Sequence, residues 1–165
     1  MFNPVLRRSK LLTIAFEIII GLFILLWIYT GLNKIIDFAN FKVQLGRSPF
    51  IQHWTSFIAI ALPIGEIILA ILLIIKKTRL IGLYLSFSLM ALFTGYVYIM
   101  LTYSYDLPCS CGGVLEKLSW EDHLIFNALF TVLGIAGIFL QVNRSKFSNR
   151  KFEKVIPSQK DIARI

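Results

Sequence analysis

Two cysteines separated by a single residue form the most distinctive reactive group of this sequence. Cys109 and Cys111 stand in the run Pro-Cys-Ser-Cys-Gly-Gly, and the 165-residue chain contains no other cysteine. A disulfide that closes so short a loop adds little stability, so a purely structural bond explains the pair poorly. A small ring of this kind would be strained, and strained disulfides exchange readily with other thiols. The spacing therefore favours thiol redox chemistry.

Two other interpretations of the cysteine pair stay open. The loop could be inert or merely oxidised, or it could bind a metal through Cys109, Cys111, His123 and Asp106. Zinc sites usually separate their cysteines by two or more residues, which counts against a metal. His123 follows the pair along the chain and is the candidate for proton exchange with a thiol. The alternative for His123 is a solvated position at the membrane interface.

The composition indicates that these residues belong to a membrane protein. Hydrophobic residues make up 57% of the chain, charged residues only 16%, and the mean hydropathy is +0.75. A soluble domain usually has about a quarter of its residues charged. The aromatic content of 14% excludes a disordered chain. The net charge of +8 would suggest nucleic-acid binding only if it formed one basic face, which the sequence does not predict.

Four apolar segments are long enough to cross a bilayer, for which a helix needs about 20 residues. The predicted helices cover about residues 11–32, 54–75, 80–101 and 122–141. They predict an all-α fold, a polytopic four-helix bundle over residues 11–141. Residues 1–10 and a basic tail over 142–165 would flank the bundle, and residues 33–53 and 102–121 would form its two longer loops.

The positive charges predict the orientation of the bundle. Thirteen of the seventeen Lys and Arg residues precede the first helix, link the second to the third, or follow the fourth. They are Arg7, Arg8, Lys10, Lys76, Lys77, Arg79, Arg144, Lys146, Arg150, Lys151, Lys154, Lys160 and Arg164. Because cytoplasmic segments carry this excess, both termini are predicted to be cytoplasmic. The cysteine loop would then lie on the non-cytoplasmic side of an inner (plasma) membrane.

Two carboxylates inside the predicted helices are further candidate site residues. Glu66 lies deep in the second helix and Glu17 in the first. A charged carboxylate in lipid is costly, so such a residue is expected to be functional or to face the bundle interior. The two could share a proton or bond to neighbours such as Tyr84, Ser86 or Ser88. Glu66 could handle protons, or it could be a neutral acid hydrogen-bonded between helices.

Polar residues also stand at the ends of the first and fourth predicted helices. Asn33, Lys34 and Asp37 follow one another at the outer end of the first helix, where Asn33 and Asp37 share a helix face. They could form an interfacial ion pair and cap, or act beside the cysteine loop. Asn127, in the first turns of the fourth helix, is a further intramembrane polar candidate.

These motifs together resemble a known family. Residues 29–38, YTGLNKIIDF, resemble a G-x-x-K-x-x-D-like signature of DoxX-type membrane proteins, and residues 63–66, PIGE, resemble their P-x-x-E signature. Residues 108–113, PCSCGG, resemble the C-x-C motif of MauE and its redox-associated relatives. Two residues at the opening of the fourth helix also fit that group, Trp120 and Asn127. The resemblance covers about residues 11–141.

The resemblance to MauE and DoxX implies a four-helix protein that works with thioredoxin-like partners in the cell envelope. It implies that Cys109 and Cys111 are the redox pair. It also implies that Glu66, Lys34 and Asp37 occupy positions of the family pattern, and it assigns them no definite role. The expected function is thiol–disulfide exchange that supports disulfide formation or maturation. Electrons must also leave the pair, and no cysteine is available on the cytoplasmic side. A quinone or a second outer-face protein is therefore expected to reset the pair.

Two other function classes stay open, and so does whether the protein is an enzyme. It could be a non-catalytic membrane anchor or assembly factor for an envelope oxidoreductase. It could also be a small proton-coupled transporter that uses Glu66, although four helices without an evident inverted repeat argue against this class. The partners expected in every case include the lipid bilayer and exclude nucleic acid.

Overall fold

The structure is a computed structural model, and it describes residues 4–47, 51–103 and 119–153. The described residues form five α-helices and one short 3₁₀ turn over Gln52–Trp54. The α-helices are α1 (Pro4–Ile36), α2 (Phe38–Gly46), α3 (Thr55–Ile74), α4 (Arg79–Tyr103) and α5 (Trp120–Glu153). No strand occurs within these three ranges, and the predicted all-α class is confirmed.

Four helical segments are long and apolar enough to cross a membrane. They are Lys10–Ile36, Gln52–Ile74, Arg79–Tyr103 and Glu121–Asn143. Large apolar side chains project outward from each of them, for example Leu25, Phe57, Leu92 and Phe139. Helices satisfy their own backbone polar groups, so a surface of this kind suits a hydrocarbon environment. The predicted four-helix membrane bundle is therefore confirmed.

The membrane helices close into a ring around an apolar core. α1 packs mainly against α3, and α4 packs mainly against α5, while contacts of α3 with α4 and of α1 with α5 complete the ring. Phe23 of α1 meets Phe130 of α5 edge to face, with the ring centres 5.4 Å apart. This arrangement places the positive ring edge against the negative face. Further fully buried core residues are Phe16, Ile20, Leu73, Leu83 and Met90.

The short link between α3 and α4 is fixed by hydrogen bonds to the end of α3. Arg79 Nε donates to the Leu73 carbonyl at 3.0 Å, and Thr78 Oγ1 donates to the Leu72 carbonyl at 2.8 Å. These bonds satisfy carbonyls that a helix C-terminus leaves without a partner. Arg79 Nη1 also pairs with both carboxylate oxygens of Glu17, at 2.9 and 3.0 Å. Glu17 thus joins α1 to the start of α4.

The loop predicted over residues 33–53 is mostly helical, so this part of the prediction is wrong. α1 continues to Ile36, and the amphipathic helix α2 follows after Asp37. Phe41 and Leu45 are buried and pack near Ala59 of α3. Their spacing of four residues places both on one helix face. The loop was predicted because this segment joins two apolar spans and is not itself one, but its buried apolar face stabilises a helix.

The tail predicted to begin at residue 142 begins instead as part of α5, which continues to Glu153. Neither proline nor glycine, the residues that most often end a helix, stands between Gly137 and Pro157. Residues 104–118 lie outside the described part of the chain, and so does most of the second predicted loop.

The close approach of α4 and α5 depends on a glycine, and this gives a first prediction. A Cβ atom at Gly134 would lie 3.2 Å from Phe87 Cβ, whereas one at Gly95 would meet nothing within 4 Å. We expect Gly134→Leu to lower the free energy of unfolding by about 1–3 kcal/mol through overpacking. Gly95→Leu is the matched control on the open surface of α4. Thermal unfolding in detergent measures both, and equal effects would contradict the packing described here.

Candidate functional site

A buried ion pair joins α1 to α3 inside the bundle. Lys34 Nζ lies 2.7 Å from Glu66 Oε1 and 3.0 Å from Glu66 Oε2. The Lys34 side chain is 6% exposed and that of Glu66 is fully buried. Nζ also lies 3.5 Å from the Thr30 carbonyl and 5.8 Å from the centre of the Phe41 ring. Burial of charges requires such partners, because an isolated ion loses its hydration without compensation.

The ion pair corrects the predicted relation between the two carboxylates. Glu66 is paired with Lys34, and Glu17 is paired with Arg79, so the proposed shared proton between Glu17 and Glu66 is wrong. The hydropathy pattern indicates how deep each carboxylate lies along its own helix. It does not indicate toward which neighbouring helix the side chain points.

The serines suggested as partners for the carboxylates bond elsewhere. Ser86 Oγ accepts a hydrogen bond from Trp27 Nε1 at 2.9 Å, and both side chains are buried between α1 and α4. Ser88 Oγ donates to the Tyr84 carbonyl within α4 at 2.9 Å. The Trp27–Ser86 bond therefore holds the α1–α4 contact, separately from the ion pair.

The cluster predicted at the end of the first helix is divided by the structure. Lys34 points inward to Glu66, whereas Asp37 accepts hydrogen bonds from Asn40 Nδ2 at 2.8 and 3.2 Å. The predicted interfacial ion pair within this cluster is thus wrong. Among the described residues, the buried Nδ2 atom of Asn33 has no hydrogen-bond partner. Lys34 is buried because Phe41 of α2 covers a position that the sequence suggested was open to water.

A cavity of about 410 Å³ lies beside the ion pair. Most of its wall is apolar and aromatic, from Leu26, Trp27, Phe41, Leu45, Ile51, Ile58, Leu62, Leu89, Met90, Leu92, Phe93 and Val97. Its polar lining consists of Thr30, Lys34, Glu66, Tyr96, His123 and Asn127. Small-molecule sites in proteins share this size range and this pattern of an apolar wall with few polar groups.

His123 and Asn127 reach the cavity from the first turns of α5. They are spaced by four residues and therefore share a helix face, and they are only 8% and 6% exposed. The solvated position considered for His123 is therefore wrong. Their backbones take part in the hydrogen bonds of α5: the His123 N–H donates to the Ser119 carbonyl, and the Asn127 carbonyl accepts from Thr131 Oγ1.

The start of α5, which positions His123, is capped by its own sequence. Ser119 Oγ accepts a hydrogen bond from the Asp122 backbone N–H at 3.1 Å and donates to Asp122 Oδ2 at 2.7 Å. A capped start fixes the helix register, and so it determines which side chains of the first turns face inward. His123 and Asn127 face the cavity as a result.

The cysteine pair and Asp106 lie outside the described residues, so the structure tests neither the redox pair nor the metal alternative. The segment that contains the pair leaves α4 at Tyr103 and enters α5 at Trp120. Both helix ends belong to the end of the bundle where α1 ends and where the ion pair and cavity lie, here termed the cavity end. The described residues contain no group of three or more His, Cys, Asp or Glu side chains arranged to hold a metal.

Comparison with known proteins identifies the family. The family model described as methylamine utilisation protein MauE matches residues 12–140. The chain belongs to the MauE family. This match confirms the MauE part of the predicted resemblance and extends from α1 into α5, including the ion pair and the cavity lining. The DoxX part stays a prediction. No curated protein and no solved structure matches the chain.

The pairing of Lys34 with Glu66 and the cavity were both missed in the sequence of this MauE-family protein. A signal for the ion pair was present, since Lys34 and Glu66 are the lysine and the glutamate nearest the cavity end of their two helices. Opposite charges within apolar helices are expected to pair. The cavity has no comparable signal, because its volume depends on how four helices and α2 pack.

The ion pair gives a second prediction. Lys34→Met leaves the Glu66 carboxylate buried without a cation, and we expect it to lower the free energy of unfolding by about 3–5 kcal/mol. The double variant Lys34→Met/Glu66→Met should recover most of this loss, because it leaves no unpaired charge. Thermal unfolding in detergent measures each change.

Glu17→Gln is the control for this experiment. It removes a charge from the half-exposed Glu17–Arg79 pair, for which a loss below about 1 kcal/mol is expected. A Lys34→Met variant no less stable than Glu17→Gln, or a double variant that recovers nothing, would contradict the role of the buried pair.

Proposed function

We propose that this MauE-family membrane protein is a thiol–disulfide redox protein that exchanges electrons with a thioredoxin-like partner in the cell envelope. The observation that carries the proposal is the position of Cys109 and Cys111. The only two cysteines of the chain stand one residue apart in the segment that joins α4 to α5 at the cavity end. The expected outcome of this exchange is disulfide formation or maturation of envelope proteins.

The exchange proceeds through a mixed disulfide. A thiolate of the partner attacks one sulfur of the Cys109–Cys111 disulfide, and the S–S bond of the pair breaks as an intermolecular S–S bond forms. The second partner thiolate then breaks the intermolecular bond and forms the partner's own disulfide. The pair is left as two thiols, so the partner is oxidised by two electrons and the pair is reduced by two.

His123 is the residue proposed to exchange protons with the pair. It follows Cys111 by twelve residues and lies in the first turn of α5, close in the chain to the cysteine segment. Imidazole changes its protonation state near neutral pH more readily than any other side chain. Its burial at the cavity end supports a role in the interior and removes the interpretation of a freely solvated histidine.

The orientation of the bundle is part of the proposal. The basic residues at the start of α1, around the link between α3 and α4, and at the end of α5 lie at the opposite end from the cysteine segment. The positive-inside rule assigns that basic end to the cytoplasm. The cysteine pair would then face the non-cytoplasmic side of the inner (plasma) membrane, where a disulfide can persist.

The orientation gives a third prediction. A membrane-impermeant maleimide added to reduced, intact cells should label Cys109 and Cys111, because both thiols face outward. The control is the cysteine-free protein with Lys77→Cys, whose new thiol lies in the exposed link between α3 and α4. That thiol should be labelled only after lysis. Labelling in the opposite order would reverse the orientation and overturn the proposed envelope function.

The mixed disulfide gives a fourth prediction. Cys109→Ser or Cys111→Ser removes the resolving thiol, so one of the two variants should accumulate a covalent complex with its partner on a non-reducing gel. Each variant should lower the rate of partner oxidation at least about tenfold, as expected when an essential nucleophile is lost. Ser110→Ala, between the cysteines, is the control and should behave as the natural protein does.

The same experiment separates the proposal from a non-catalytic anchor. A double Cys109→Ser/Cys111→Ser variant that keeps full function in cells would show that the protein recruits its partner without thiol chemistry. Full activity in both single variants would contradict the redox proposal directly.

A further inference from the structure

The cavity has the features of a site for an apolar molecule that carries a few hydrogen-bond acceptors. Its volume is about 410 Å³ and its wall is largely aliphatic and aromatic. The His123 ring and the Asn127 amide are more than nine-tenths buried and line this space. Both side chains carry N–H groups that can donate a hydrogen bond to an occupant. A hydrogen bond to a donor in so apolar a space is favourable, so an occupant with acceptor atoms would suit this site.

The cavity also reaches the lipid-facing surface of the bundle. Leu92 of α4 lines the cavity and is 69% exposed on the outer face of its helix. A molecule dissolved in the hydrocarbon can therefore approach the interior through the side of the bundle. Phe41 and Leu45 of α2 cover the space from the cavity end.

We propose that this cavity binds the head group of a membrane quinone. A quinone ring is flat and apolar, which suits a wall that contains Trp27, Phe41 and Phe93. Its carbonyl oxygens accept hydrogen bonds from the His123 ring and the Asn127 amide, which both line the cavity. Lys34 is already engaged by Glu66 and Thr30, so it contributes a fixed charge rather than a free donor.

Other occupants fit these observations less well. The hydrocarbon tail of a lipid would fill the apolar volume but has no acceptor for His123 or Asn127. A polar metabolite would find too few partners in a wall that is mainly hydrocarbon. A peptide segment of a partner would have to cross the lipid-facing side of α4. The quinone alone among these combines membrane solubility with carbonyl acceptors.

The bound quinone would be the electron acceptor of the cysteine pair, and this step rests on the proposed function. Two thiols of Cys109 and Cys111 lose two protons and two electrons as their S–S bond forms. The quinone gains two protons and two electrons and becomes a quinol. The step balances without a further reactant, and it sets the direction of electron flow from envelope thiols to the membrane quinone pool.

Binding can be measured through Trp27, which lies in the cavity wall. The chain has three tryptophans, so Trp54→Phe/Trp120→Phe leaves Trp27 as the single fluorophore. A quinone in van der Waals contact quenches indole fluorescence. Titration of the full-length protein in detergent with decylubiquinone should therefore give saturable quenching. Decylbenzene, which has the same tail and no carbonyl groups, should not displace the quinone.

Matched variants test the two proposed donors. His123→Leu and Asn127→Leu should each weaken quinone binding by about tenfold, the usual effect of one lost hydrogen bond. His53→Leu and Asn143→Leu make the same changes at exposed positions and should leave binding unchanged. Leucine suits the apolar wall of the cavity, so His123→Leu and Asn127→Leu are expected to fold. An unfolding midpoint close to that of the natural protein checks this for each variant.

The electron-transfer step is read separately from binding. Reduced protein mixed with decylubiquinone should form one quinol for each Cys109–Cys111 disulfide. Ultraviolet absorbance measures the quinol, and mass spectrometry after alkylation measures the disulfide. The Cys109→Ser/Cys111→Ser variant should bind the quinone and form no quinol. This variant distinguishes a failure of the cavity assignment from a failure of the proposed thiol chemistry.

Three results would overturn the inference. The first is quenching that does not saturate, or a loss of binding in His53→Leu or Asn143→Leu as large as the loss in His123→Leu. The second is recovery of Trp27 fluorescence when decylbenzene is added, since this would show that the carbonyl groups of the quinone do not contribute to binding. The third is binding without quinol formation in the protein that keeps both cysteines. The partner-trapping experiment decides the proposed function independently of all three.

Discussion

The arrangement at the cavity end depends on keeping Lys34 and Glu66 together and away from water. Two opposite charges 2.7 Å apart stabilise each other strongly in an apolar interior, but either one alone would be unfavourable there. This requirement fixes the position of α1 relative to α3. It also explains why a short amphipathic helix follows α1, since Phe41 of α2 shields the ammonium group.

The polar residues of the bundle follow the same constraint. Thr30 and Lys34 are four residues apart on α1, and His123 and Asn127 are four apart on α5, so each pair faces inward together. The outward faces carry aliphatic and aromatic side chains that suit lipid. The interior of this MauE-family protein thus contains a mostly apolar cavity whose polar lining includes these four residues.

The sequence predicted the fold class well because membrane helices depend on a local property. About 20 apolar residues in a row are enough to indicate a span, whatever the rest of the chain does. α2 was missed for the opposite reason. Its nine residues carry only two buried apolar side chains, Phe41 and Leu45, which is too few to indicate a helix in the sequence. The helix is stabilised by packing against α3, which the sequence of α2 does not show.

The candidate site was predicted in part. His123, Asn127, Glu66 and Lys34 were all singled out as candidates, yet the sequence did not indicate that they meet around one cavity. Their convergence depends on the rotation of each helix about its axis, which hydropathy does not determine. Cys109 and Cys111 stay a prediction from sequence, since they lie outside the described residues.

The two ion pairs of the bundle lie in different media. Lys34 and Glu66 meet side chains and hydrocarbon, so dissolved ions do not reach them. Glu17 is about half exposed where it meets Arg79, the first residue of α4, at the opposite end of the bundle. Salt screens buried ion pairs much less than exposed ones, so the Lys34–Glu66 pair is the less sensitive of the two. The charges at the cavity end are therefore insulated from changes in ionic strength.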